Sequence, residues 1–351
     1  MKRITLCALL MTLFLLLSCG SGTTSAEDPK TTFLTSIANL GKGFLDVFTS
    51  LSDMITGTFG IKAETKKSDI GKYFTDIEKT MNTVKKKLQE EVEKNGNYLK
   101  IKEVVDTFIT NTLDKISDGA KTVAKGATGD DAIGNATSAG HGATPADKDS
   151  VISLVKGIKT IVEVVLKDKG DAEATKTGED KKDIGNLFIN DAGKADSKEE
   201  NIAKAAASIG AVTGADILKA IAKSKENPNA DSTDGIEKAK DAAEIAIAKA
   251  VANKKEIKDE AKKDAVIAAG IALRAMAKDG KFAANQNAKD ADAVNGVAAN
   301  AVGKTLSTLI IAIRDTVDSG LKTINAALAT VTQEDKSSEA TTPAETTASG
   351  Q

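Results

Sequence analysis

The feature that most constrains this chain is a run of apolar residues at helical spacing. Ile70, Phe74, Ile77, Met81, Val84 and Leu88 follow one another at steps of four, three, four, three and four, with Lys and Glu between them. Residues so spaced share one face of an α-helix and scatter over both faces of a strand. The run therefore builds an amphipathic helix whose stripe must be buried against other helices. Ser68-Asp69 offers an N-cap before it and Asn95-Gly96 a stop after it. Similar spacing covers Phe33, Leu34, Ile37, Leu40, Phe44, Val47, Phe48 and Leu51, then Ile101 to Val123, then Val151 to Val165. It returns in Leu306, Ile310, Ile313, Val317, Leu321, Ile324, Leu328 and Val331, the seam of a helix expected from about Ala288 to Val331. Such a helix would be roughly 65 Å long if unbroken. The short Asn-Gly connection makes an antiparallel hairpin of the second and third segments. The expected fold class is all-α, an elongated helical bundle with long N- and C-terminal helices.

Between 197 and 303 the chain is rich in alanine, with helices expected over 198–209, 214–224, 236–252 and 256–278. Eight of the ten aromatics beyond the leader lie before residue 110, so the N-terminal helices should hold the tighter core and the alanine-rich middle the looser one. Gly-, Asp- and Lys-rich stretches at 125–149, 168–182, 190–197, 225–235 and 279–290 read as polar, exposed loops. One phrase is echoed. Lys66-Lys67-Ser68-Asp69-Ile70-Gly71 resembles Lys181-Lys182-Asp183-Ile184-Gly185, and both read as the start of a helix with an acidic cap. A single echo establishes no repeat architecture.

The N-terminus has the form of an export signal. Met1-Lys2-Arg3 is positive, Ile4 to Leu17 is apolar and too short to span a bilayer, and Leu16-Leu17-Ser18-Cys19 follows. The order of these parts resembles a bacterial lipobox. Cleavage is expected between Ser18 and Cys19, with Cys19 acylated as an N-palmitoyl, S-diacylglycerol cysteine. The resulting division is 1–18 signal peptide, 19–30 tether, 31–332 one all-α domain and 333–351 a disordered tail. Two or more fatty chains anchor a protein stably, at roughly 0.8 kcal/mol per buried CH₂. Of the two cysteines, Cys7 leaves with the signal and Cys19 is consumed by lipid, so no disulfide is expected.

Residues that could carry chemistry are few. The 48 Lys+Arg nearly balance the 50 Asp+Glu, which excludes a strongly basic nucleic-acid binder. The single histidine, His141, sits between two glycines with no second His or Cys to work with. Gly303-Lys304-Thr305 has the end of a phosphate-binding loop, but Ala298 stands where its first glycine belongs. Asp130, Asp131, Asp147 and Asp149 fit no calcium-loop spacing. Tyr73 and Tyr98 read as core residues. No catalytic, cofactor or metal residue is assigned, and no enzyme activity is expected.

Several long phrases are recognisable: TTFLTSIANLGKGFLDVFTSLSDMITGTFG at 31–60, IGKYFTDIEKTM at 70–81, NGNYLKIKEVVDTFI at 95–109, SLVKGIKTIVEVVLK at 153–167, and, from Lys278 to Asn325, KDGKFAAN followed by NGVAANAVGKTLSTLIIAIRDTVDSGLKTIN. Over essentially its whole length the chain resembles the variable large protein family, one kind of variable major lipoprotein of relapsing-fever spirochaetes. It is also similar to the Vls surface antigen of the Lyme spirochaetes. The resemblance implies an all-α fold with both chain ends near the membrane and the loops distal. It further implies an outer-membrane location facing outward, and escape from host antibodies by switching of expressed variants. The partners implied are membrane lipid through Cys19 and host antibodies, with no nucleic acid; a homodimer and a host ligand are left open. The alternative reading is an adhesin for host matrix, glycosaminoglycan or serum protein.

Overall fold

The computed structural model describes residues 28, 30–39, 42, 60–94, 98–178, 180–231 and 233–330. Ser18, Cys19, the tether after them, most of 40–59, Val331 and the tail from 333 lie outside the described residues.

The fold is all-α. Helix α1 covers residues 30–39, with Phe33 and Ile37 buried. Helix α2, Lys67–Lys94, carries the opening seam, and all six of its residues from Ile70 to Leu88 are at most 4% exposed. It starts one residue before the expected cap, and the Asp69 carboxylate reaches back to accept from the Lys66 amide at 3.2 Å. The next segment runs as α3 (Leu99–Phe108), one π-helical turn (Ile109–Leu113) and α4 (Asp114–Gly126). Helix α5, Lys148–Val165, begins at Asp147, whose side chain accepts from the Ser150 amide at 2.9 Å. It crosses α4 very closely: a Cβ on Gly119 would stand 2.8 Å from the Gly157 carbonyl oxygen, and one on Gly157 2.5 Å from that of Gly119. Only glycine lets the two backbones meet there.

Helices α6 (Glu199–Ala211) and α7 (Gly214–Lys223) appear where expected. The expected helix over 236–252 is instead a 3-10 turn, Gly235–Lys238, followed by α8, Ala242–Ile247. The expected helix over 256–278 shortens to α9, Asp264–Met276, leaving 248–263 non-helical. Between Ala252 and Ala261 only Ile257 offers a buried apolar side chain, so a helix there would have no seam to bury. The second echo, Lys182–Phe188, forms a 3-10 turn and goes no further.

The alanine-rich middle is the centre of the molecule, contrary to the expectation of a looser core. All thirteen residues of α9 are buried, and the helix packs against α2, α5, α6, α7, α8 and the last helix, α10 (Ala288–Ala329). Small side chains let neighbours approach from every side, so a helix apolar all round becomes a core helix. Helix α10 runs 42 residues without a break at Gly296, Gly303 or Gly320. By length and composition it could cross a membrane, yet its apolar seam is spent on α3, α5, α6, α7 and α9.

Candidate functional surface

Nothing in the described residues gathers the sequence candidates into a reaction centre. His141 closes a turn: its Nε2 accepts from the Thr137 amide at 3.2 Å while its Nδ1 lies 3.0 Å from the Gly142 carbonyl. Its backbone exchanges two bonds with Ala284, at 2.8 and 2.9 Å. Burial pulls its pKa below 6.5. Gly303-Lys304-Thr305 lies inside α10, where Lys304 Nζ donates to the Ile209 and Gly210 carbonyls at 2.8 and 3.2 Å and so caps the end of α6. Asp131 and Asp147 line one open cleft of about 640 Å³, but Asp149 lies in the first turn of α5 and Asp130 pairs with Lys66 at 3.8 Å. Tyr73 and Tyr98 are half-buried against the core.

The charged residues that do converge had no sequence assignment. Arg274 of α9 is fully buried; its Nη1 donates to the carbonyls of Ile245, Ala246 and Ala248 at 3.3, 3.0 and 3.2 Å, and its Nε to that of Lys281 at 3.0 Å. Its guanidinium stands 5.0 Å from the Phe188 ring centre and 6.0 Å from that of Phe282. Lys67 is equally buried and donates to the carbonyls of Ala277, Gly280 and Arg274 at 2.6, 2.8 and 3.5 Å. Among the described residues no carboxylate lies within ion-pair distance of either cation, and carbonyl oxygens take their place. Burial lowers Arg274 to about 9 and Lys67 to about 8. The last carbonyls of a helix carry negative partial charge, so these cations neutralise the C-terminal ends of α8 and α9. One clue was legible: Arg274 is the lone charge in an apolar run from Ala265 to Ala277.

Beside the outer faces of its helices, the molecule presents loops to solvent. Residues 168–178 expose Asp168, Lys169, Asp171, Glu173, Thr175 and Lys176, and bury Ala174 as their anchor. Residues 225–231 expose Lys225, Glu226, Asn227 and Asn229, and bury Pro228. The non-helical 248–263, missed as a loop by the sequence reading, exposes Ala252, Asn253, Lys258, Asp259 and Glu260 over buried Ile257 and Ala261. Ion pairs tie 248–263 to its neighbours: Lys254–Asp234 at 2.8 Å, Lys255–Asp196 at 2.9 Å and Lys263–Glu173 at 2.9 Å. Lys223 and Lys263 together hold the Glu173 carboxylate down at about 2. Two of the expected loops are less exposed than their composition suggests. Residues 125–149 bury Ala127, Ile133 and Ala146, and 279–290 bury Phe282, Ala283 and Ala284. The two pair with each other through Thr144 and Lys281 and through His141 and Ala284. An irregular segment inside a fold must find partners for its amides and carbonyls, and each supplies the other's.

A family model described as Borrelia lipoprotein matches residues 44–328. The chain belongs to that family. It is 76% identical to variable large protein 4 of Borrelia hermsii over 98% of both chains. It is 67% identical to variable large protein 17 of the same species, over 100% of this chain and 98% of that one. Among solved structures it matches the Lyme disease variable surface antigen VlsE of Borrelia burgdorferi with a TM-score of 0.65 and 34% identity, over 85% of this chain and 99% of that chain. The expected resemblance to variable large proteins and to the Vls antigen is thus met in both sequence and fold. The Borrelia lipoproteins so matched are named as variable proteins and a surface antigen, and no enzyme family is among them.

Proposed function

We propose that this chain is a lipid-anchored outer-surface antigen whose exposed loops change between variants, so that antibody raised against one variant does not bind the next. Kinship to variable large proteins and to a variable surface antigen carries the reading. The physical arrangement supports it. Loop side chains at 168–178, 225–231 and 248–263 point outward, while their small buried anchors and the helices beneath supply the stability. Exposed substitutions typically change stability by about ±0.5 kcal/mol or less. Such loops can vary while the fold persists. In this reading Cys19 carries the lipid after cleavage at Ser18–Cys19, the protein sits on the outer membrane facing outward, and host antibody is the partner. The function asks for no reacting centre: it is recognition of the surface by another protein.

Whole-cell protease accessibility combined with metabolic lipid labelling tests this. Expected are labelled protein, cleavage in 168–178 and 225–231 on intact cells, and loss of label on Cys19→Ala. Unlabelled wild-type protein, or loops protected on intact cells, would overturn it.

A further inference from the structure

The echoed phrase has a physical counterpart. In the first copy Lys67 is buried and its Nζ holds the carbonyls at the C-terminal end of α9, those of Arg274, Ala277 and Gly280. In the second copy the matching residue, Lys181, is 5% exposed and its Nζ lies 3.6 Å from the carboxylate of Asp264, the first residue of α9. The two lysines therefore grip the same buried helix by opposite ends. The following residues match as well. Ile70 and Ile184 are both 0% exposed. A Cβ on Gly71 would meet the Ala127 carbonyl oxygen at 2.3 Å, and one on Gly185 the Lys255 carbonyl oxygen at 2.2 Å. In each copy, then, a glycine lets a loop backbone lie directly on the phrase. Each loop is also hydrogen-bonded there: the Lys67 amide donates to the Asp131 carbonyl at 3.0 Å, and the Ile257 amide donates to the Lys182 carbonyl at 2.8 Å.

We infer that Lys-x-Asp-Ile-Gly is one clamp used twice, each copy tying an outer loop to one end of α9. The first binds loop 127–133 to the C-terminal end, and the second binds loop 255–257 to the N-terminal end. The role is conformational: the clamps make loop and core open together, so the surface keeps a fixed shape for as long as the protein is folded. The inference is independent of what the loops meet outside.

Native-state hydrogen exchange with two length-matched substitutions tests it. Lys67→Met should raise exchange of the Ile133, Ala277 and Lys281 amides at least tenfold and leave those of Thr177 and Ile257 unchanged. Lys181→Met should do the reverse, raising Thr177, Ala265 and Ile257 and sparing Ile133. Equal rises at both sites in both variants, or no rise in either, would overturn the clamp. Should a variant fail to fold, the wild type decides. Ile133 and Ile257 exchanging with the same denaturant dependence as the core of α9 supports coupling, and their exchange through a local, denaturant-independent opening refutes it.

Discussion

At the scale of single residues, the unusual groups are buried bases that, among the described residues, have no carboxylate within ion-pair distance. Lys67 is lowered to about 8 from 10.5, chiefly by burial, with Asp131 and Asp279 raising it and Arg274 lowering it further. Between those two values the unfolded chain binds the proton more readily than the folded one, so this group's contribution makes stability rise with pH across that window. The net cost that the charged form bears below pH 8 is on the order of 3 kcal/mol. A nuclear magnetic resonance titration of the lysine Cε signals should show one lysine titrating near 8, ahead of the surface lysines, and Lys67→Met should remove it. His141 works in the opposite range. Its pKa lies below 6.5, and its Nε2 must be unprotonated to accept from Thr137. Below pH 6.5 the unfolded state takes the proton first, so stability falls as pH drops through that value. Because it is the chain's single histidine, one ring resonance reports its pKa. A value at or above 6.5 would contradict the assigned turn. Beyond the lone charge of Arg274 in its apolar run, the sequence does not mark these groups: lysine and arginine are almost always exposed, and only tertiary contact places helix-end carbonyls around them.

At the scale of elements, legibility followed the period. Helices α2 and α10 are readable because apolar residues recur at three and four over many turns, and the described residues of their seams, to Leu88 and Leu328, are buried as expected. The stretch 236–263 is not, because alanine favours helix without marking a face, so composition alone cannot say where a helix has something to bury. The run Phe282-Ala283-Ala284 is short and flanked by polar residues, so its burial leaves no periodic mark in the sequence. Helix α9 is the element most sensitive to change. Ala272 is 0% exposed, and Ala272→Leu should cost about 1–3 kcal/mol by overpacking. Phe74→Ala on α2 should cost about 3–5 kcal/mol, whereas Thr175→Ala in an exposed loop should stay within about 0.5 kcal/mol. Chemical denaturation of the three variants checks the order. The helix ends share a further habit. Lys219 caps α5 through the Lys167 carbonyl, Lys304 caps α6, Arg274 caps α8 and Lys67 caps α9. Each cap comes from another element of the scaffold, so the loop that leaves the helix need not provide it.

At the scale of the whole molecule, two properties meet. The outer loops are joined by ion pairs at the surface, which are individually weak. Underneath, one continuous core runs from Phe33 to Leu328. Limited proteolysis of the purified protein should therefore cut first in 168–178 and 225–231. It should spare 277–284, which is as irregular but is buried by its pairing with 141–146. Early cleavage in 277–284 would contradict that pairing. Helix α10 adds a matter of length. Its 42 unbroken residues make a rigid rod of about 63 Å. Where many copies stand upright on one membrane, rods of that height shade each other's flanks as trees in a dense wood shade their trunks. On the proposed reading, what can be reached from outside is then the canopy, and it is there that a change of residues alters what an approaching antibody can touch.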